Sequence, residues 1–167
     1  MDSTVVVEEW FEKYSDGLYN FLIYYTRSSE VEGIVQETFI RAIRNFHSYE
    51  KKAKPKTWLY HIARNVAIDE ARKKKRTQWE EEVPIMEDKI DSGERPEEVY
   101  QLQETKRTIY HSINRLKDSY RDVLLLRCMN DFSIDETAQI LEWTQNQVRV
   151  TYHRALKALQ KELNKHA

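Results

Sequence analysis

Between Ser133 and Leu163 the chain has few ways to fold. Ile134, Ala138 and Leu141 fall on one face of a short helix, and Glu142 to Thr144 form a turn. From Gln145 onward, Val148, Tyr152, Leu156 and Leu159 recur at spacings of four, four and three. Two amphipathic helices this close in sequence bury their stripes against each other, giving a helix-turn-helix. Ala138 is small enough for a close crossing, and Val148 locks the second helix onto the first. Ser133 caps the first helix, with Glu136 three residues on as its capping-box partner. The stripe leaves Gln145, Asn146, Arg149, Val150, His153 and Arg154 to an outside partner. Their amide and guanidinium donors match base edges and phosphates in a DNA major groove. The same spacing also suits an ordinary helical hairpin with a solvated outer face, and spacing alone leaves both open.

A chain of 167 residues makes one ordinary domain or two small ones. Three glycines, three prolines and 33% charged residues suit an all-α protein. One cysteine excludes an internal disulfide framework and a cysteine-based metal cluster. No run of about 18 apolar residues occurs, so no membrane insertion is expected. The first residues lack the positive flank and apolar core of a secretory signal, which points to the cytoplasm. The net charge of −1 conceals a segregated pattern. Residues 1–76 sum to +3, 77–98 to −7 and 99–167 to +3. That pattern predicts two helical domains joined by an acidic flexible linker.

Taken in order, Val6, Trp10 and Tyr14 share a face, and Leu18, Phe21, Leu22 and Tyr25 continue at helical spacing. Asp16 and Gly17 predict a break between them. From Glu30 to Phe46 the inward set is Val31, Ile34, Val35, Thr38, Phe39, Ala42, Ile43 and Phe46. Gln36, Glu37, Ile40 and Arg41 lie opposite. An apolar Ile40 ringed by polar side chains hints at a protein-binding face, where a purely solvated one would be polar. Pro55 suits the first turn of the next helix, with Leu59, Ile62, Ala63 and Val66 as its stripe. A lysine-rich loop feeding this basic helix, with Trp58 and Tyr60 near its start, suits phosphates and stacked bases, although Trp58 equally suits a core. Arg72 to Arg76 are consecutive cations that also complement a helix C-terminus. After the connector, Val99, Leu102, Ile109, Ile113 and Leu116 predict a long helix, and Val123, Leu124 and Leu126 a shorter one from Tyr120 to about Cys128. Cys128 reads as a small core residue. No glycine-rich phosphate loop, metal-ligand spacing or nucleophile elbow is present, so neither cofactor nor catalysis is expected.

Several strings together resemble the extracytoplasmic-function (ECF) group of bacterial RNA polymerase sigma factors, which carry only regions 2 and 4. For region 2 they are Ile34-Val-Gln-Glu-Thr-Phe-Ile-Arg-Ala42 and Trp58-Leu-Tyr-His-Ile-Ala-Arg-Asn65, with Asp69 and Arg72. For region 4 they are Ser119-Tyr-Arg-Asp-Val-Leu-Leu-Leu-Arg127, the helix-turn-helix and His153-Arg-Ala155. The resemblance implies a region 2 domain over 1–76, an acidic linker over 77–97 and a region 4 domain over 98–167. It implies that Gln36, Glu37, Ile40 and Arg41 dock on core RNA polymerase. It assigns Lys54, Lys56, Trp58, His61, Arg64, Asn65 and Arg72 to the −10 element, opened and held as a single strand. It assigns Gln145, Asn146, Arg149, Val150, His153 and Arg154 to the −35 element, with Arg149 the principal reader. The implied partners are core polymerase, promoter DNA and an anti-sigma factor, and the protein would not itself be an enzyme.

The chain departs from the family pattern at Gly33, where an acidic residue is usual, and at Val150 and Thr151 in the reading helix. Glu142 occupies a turn position where glycine is common, so a left-handed backbone there would cost about 1 kcal/mol. Two other readings fit parts of the sequence. One is a free-standing helix-turn-helix regulator whose N-terminal half senses or dimerises. The other is a helical interaction module.

Overall fold

The structure is a computed structural model that describes residues 2–49, 53–77 and 97–165. Seven α-helices and one short 3-10 turn make up the described residues, with no strand among them, so the all-α expectation holds. The acidic connector predicted over 77–97 lies almost wholly outside the described residues, as do the side chains of Val99 and Leu102.

Helix α1 spans Ser3–Thr26 without interruption, capped by Asp2, whose carboxylate accepts from the Thr4 amide at 3.1 Å. The predicted break at Asp16 and Gly17 does not occur. Val7, Leu18, Phe21, Leu22 and Tyr24 are buried along one side and hold the helix together through Gly17. The glycine has a packing reason instead: a Cβ there would sit 2.8 Å from the Tyr60 hydroxyl. Val7, not Val6, is the buried valine of the first turns. The helix ends at Arg27 in a left-handed conformation, φ 58°.

Helix α2 (Glu32–Arg44) buries Val35, Thr38, Phe39 and Ala42 as expected. Ile43, expected inside, is 39% exposed. The 3-10 turn Phe46–Ser48 follows, and α3 (Pro55–Thr77) opens on its proline. The α3 stripe of Leu59, Ile62, Ala63 and Val66 is buried, and Thr57, Tyr60 and Ala67 are buried too. One apolar stripe would not cover so much of the helix. The extra burial arises because α3 packs on α1 and α2 and also on a helix from the C-terminal half.

That half consists of α4 (Glu97–Asn114), α5 (Asp118–Arg127), α6 (Ile134–Leu141) and α7 (Gln145–Lys165). Every residue from Arg121 to Leu126 is buried, because α5 packs on α1, α4, α6 and α7 at once. A helix buried all round carries no readable stripe. In α7 the inward residues are Val148, Ala155 and Leu159, with Tyr152 half-buried, while Leu156 is 38% exposed. The predicted stripe therefore shifts by one residue, to spacings of four, three and four. Cys128 is half-buried, its Sγ 3.7 Å from the Tyr152 hydroxyl, and packs on the core as expected. The buried residues of both halves form one continuous cluster, from Val7 through Leu59 and Leu125 to Leu159.

Candidate nucleic-acid interface

The helix-turn-helix of the site is the pair α6 and α7. Ser133 caps α6 with a full capping box: the Glu136 amide donates to Ser133 Oγ at 3.0 Å, and the Ser133 amide donates to Glu136 Oε1 at 2.9 Å. The helix closes on Glu142 in the left-handed region, φ 60° and ψ 40°, so the chain adopts there the conformation that glycine takes more cheaply. The Trp143 amide reaches back to the Ala138 carbonyl at 3.0 Å, the long bond of a Schellman closure. Thr144 Oγ1 then accepts from the Gln147 amide at 3.1 Å and starts α7. Thr137, Ala138, Ile140 and Leu141 of α6 and Val148 of α7 are buried, and the two helices pack on each other.

All six residues assigned to the reading face, Gln145, Asn146, Arg149, Val150, His153 and Arg154, are exposed. Gln147 joins them, although the sequence reading did not name it. Asp135 is a second addition. Its carboxylate accepts from Gln139 Nε2 at 3.1 Å and Gln145 Nε2 at 3.0 Å, and Gln145 Oε1 accepts from Arg149 Nη2 at 3.4 Å. This short chain fixes the start of α7 to α6 and steadies one side of the Arg149 guanidinium. Arg149 is exposed and keeps further N–H donors of the kind that a bidentate contact to a guanine edge uses.

The set on α3 is differently placed. Lys54 lies 4.0 Å from Glu136 Oε2. Lys56 Nζ donates to the Asn130 carbonyl at 3.0 Å and sits over the rings of Phe132, at 4.8 Å, and Tyr60, at 5.6 Å. His61 Nε2 is 3.6 Å from Glu142 Oε1. Thr57 donates to Glu136 Oε2 at 3.1 Å, and the Tyr60 hydroxyl donates to Asn130 Oδ1 at 3.1 Å. Three of the predicted strand-binding residues thus cluster at the start of α3, and here they meet α6 and the turns on either side of it. Tyr60, read as a base-stacking ring, is 1% exposed and belongs to the core. Trp58 is half-buried in an aromatic group, 6.0 Å from Trp10 and 4.8 Å from Tyr49. Arg64 is half-buried beside Tyr25 and Asp122, with Nε unbonded. Asn65 is half-buried further along α3, and Arg72 is exposed near its end.

The join between the halves continues through charge. Arg121 donates twice to Asp122 Oδ1, at 3.1 and 2.9 Å, and lies 5.1 Å over the Tyr25 ring. Burial pushes the Asp122 carboxyl above the ordinary aspartate range, and Arg121 offsets only part of that effect. Burial also acts to raise the Glu136 carboxyl. Its bonds to Ser133 and Thr57 and the nearby Lys54 charge outweigh burial, so Glu136 stays below the ordinary glutamate range. Arg27 bridges to Asp118 at 3.2 Å and to the Asn114 carbonyl at 3.1 Å, and Tyr24 stacks on Tyr110 at 3.9 Å. Sequence reasoning missed this cluster. Its partners are far apart in the chain, and charged helical residues ordinarily face water.

On α2, Ile40 is 43% exposed, Gln36 is exposed and Glu37 half-buried. Arg41 is tied to Glu37 at 3.2 Å and to Asp69 at 3.1 Å. Ile43 lies one turn from Ile40, and Phe11, 46% exposed, meets Phe39 at 5.0 Å. The exposed apolar strip is therefore wider than the single isoleucine read from the sequence. Among the described residues no group of three or more His, Cys, Asp and Glu side chains is placed to hold a metal ion, and no helix is long and apolar enough to cross a membrane.

Comparison with known proteins bears on both halves. Residues 10–77 match the family model for Sigma-70 region 2, and residues 106–159 match that for Sigma-70, region 4. The chain is 33% identical over 162 residues to the ECF RNA polymerase sigma factor SigX of Bacillus subtilis, covering 92% of this chain and 81% of the relative. It is 36% identical over 141 residues to SigW of the same organism, covering 80% and 75%. Among solved structures, the fold is similar to the sigma factor RpoE of Bartonella quintana in complex with the anti-sigma factor NepR. The TM-score there is 0.71 at 22% identity, covering 94% of this chain and 96% of that one. CnrH in complex with the cytosolic domain of CnrY gives 0.69 at 17% identity, covering 98% and 91%.

Proposed function

The chain belongs to the ECF group of RNA polymerase sigma factors, and from that premise we propose that it is a dissociable specificity subunit of core RNA polymerase. In this reading it has no catalytic site of its own, works in the cytoplasm with the polymerase, and directs initiation by recognising −35 and −10 promoter elements. The division of labour is a region 2 domain over 1–76, an acidic linker over 77–97 and a region 4 domain over 98–167.

One observation carries the proposal most directly. The second helix of a fully capped helix-turn-helix presents Asn146, Arg149, His153 and Arg154 to solvent, with Arg149 steadied from one side. Phosphate contacts from His153 and Arg154 would set register, and Arg149 would read a base edge. The −10 strand falls to Lys54, Lys56, Trp58, His61, Arg64, Asn65 and Arg72. For α3 to hold a strand, Lys56 must leave the Asn130 carbonyl and His61 must leave Glu142, so α6 and its preceding turn have to move off α3. The fold is similar to a sigma factor solved with an anti-sigma factor, and to CnrH solved with the cytosolic domain of CnrY. That likeness supports control by a partner that favours the closed arrangement.

The test is transcription from a promoter library by core polymerase with and without the purified chain. Initiation at a defined promoter class only when the chain is present is the expected result. Tight duplex binding without polymerase, at two-fold half-sites, would instead favour the free-standing regulator. A narrower expectation concerns Ile40→Glu, which places a charge in the apolar strip with Ile43. It should weaken polymerase docking at least tenfold in a pull-down or fluorescence titration while leaving promoter preference unchanged. Normal docking would remove Ile40 from that face.

A further inference from the structure

Resting on the proposed −35 role of α7, we infer that Val150 is a specificity contact for the 5-methyl group of a thymine. Val150 is 41% exposed and lies in the second turn of α7, the part of a recognition helix that enters the groove. One helical turn before it is Asn146 and one turn after it is Arg154, with Arg149 and His153 beside it, all of them exposed. The nearest buried anchor on the same helix, Val148, faces the opposite way into α6.

An isolated valine at the centre of a polar face has one apolar counterpart in a major groove. Only thymine carries a methyl group there, while the other exposed base-edge groups are donors and acceptors. A protein surface is a poorer match, because a docking patch requires contiguous apolar area. The other exposed apolar residue of α7, Leu156, lies about 120° round the helix and does not extend the patch. The flanking amide and guanidinium would fix the helix in register, so that the valine meets one base pair.

The experiment uses holoenzyme assembled from core polymerase and the full chain, with a promoter duplex selected from a random library. Each thymine of the −35 element is replaced in turn by uracil, which lacks only the 5-methyl group. The expected result is one position at which uracil weakens binding by the wild-type holoenzyme about fourfold, the factor for one buried methyl group. With Val150→Ala, thymine and uracil at that position should bind equally. Alanine favours helix and the site is exposed, so the fold is preserved. The inference is overturned if no thymine is methyl-sensitive, or if Val150→Ala keeps the same sensitivity. A loss of polymerase binding in Val150→Ala would also overturn it, by making Val150 a protein contact. Failure of the wild-type holoenzyme to select any promoter sinks the −35 role itself, which is a different and separately visible outcome.

Discussion

Asp122→Ala is expected to lower the stability of the chain by about 3 kcal/mol, read as a shifted midpoint in urea denaturation with an unchanged slope. The loss comes from what remains. Arg121 is 7% exposed and spends two N–H groups on Asp122. Without that carboxylate, its charge is left with the Tyr25 ring and with Asp118, 3.5 Å away and largely in water. A buried cation deprived of its partner is far costlier than the net worth of the pair. Asp122→Asn keeps the shape and one acceptor, so it should fall between wild type and alanine.

The same residue has a pH signature. The Asp122 carboxyl titrates above its unfolded value, so its contribution is most favourable below the ordinary aspartate range and is lost as pH rises through the raised value. Glu136 has the opposite sign: its contribution is present above the ordinary glutamate range and is lost as pH falls through the lowered value. Asp122→Asn should therefore lose stability relative to wild type most at acidic pH. A wild-type-minus-Asn difference that grew as pH rose would contradict the assignment.

Arg149→Ala should weaken −35 recognition by about 1–3 kcal/mol, or roughly 5- to 150-fold, with polymerase binding and thermal stability unchanged. Stability should hold because, among the described residues, Arg149 makes just the long bond to Gln145 on an exposed face. Filter binding or fluorescence anisotropy on a −35 duplex measures the first quantity, and a core-polymerase titration measures the second. Equal losses in both would mean that α7 does not face DNA.

Local chemistry was legible in the sequence and long-range chemistry was not. The capping box at Ser133, the proline opening α3, the turn at Glu142 and the exposed Ile40 each depend on residues within a turn or two. The error in the α7 stripe came from preferring the bulkier Leu156 to Ala155, when 3.6 residues per turn favour the alanine. Lys56 and His61 were readable as surface residues of a basic helix. Their partners Asn130 and Glu142 belong to another part of the chain, and nothing in either segment announces the other. Arg121 and Asp122 were hidden for a similar reason. A charge pair looks solvent-bound until the helices around it are counted.

Gly17 is the case in which the missed feature matters most. Read alone, it is a weak point in a long helix, and alanine there should make α1 about 1 kcal/mol more helical. The Tyr60 phenol fills the space that an alanine methyl would take, and it spans from there to Asn130 in the other half. Helicity and coupling between the halves therefore trade off at one atom's width. A position that touches neither of the proposed DNA faces nor the docking strip sets how firmly the chain stays shut.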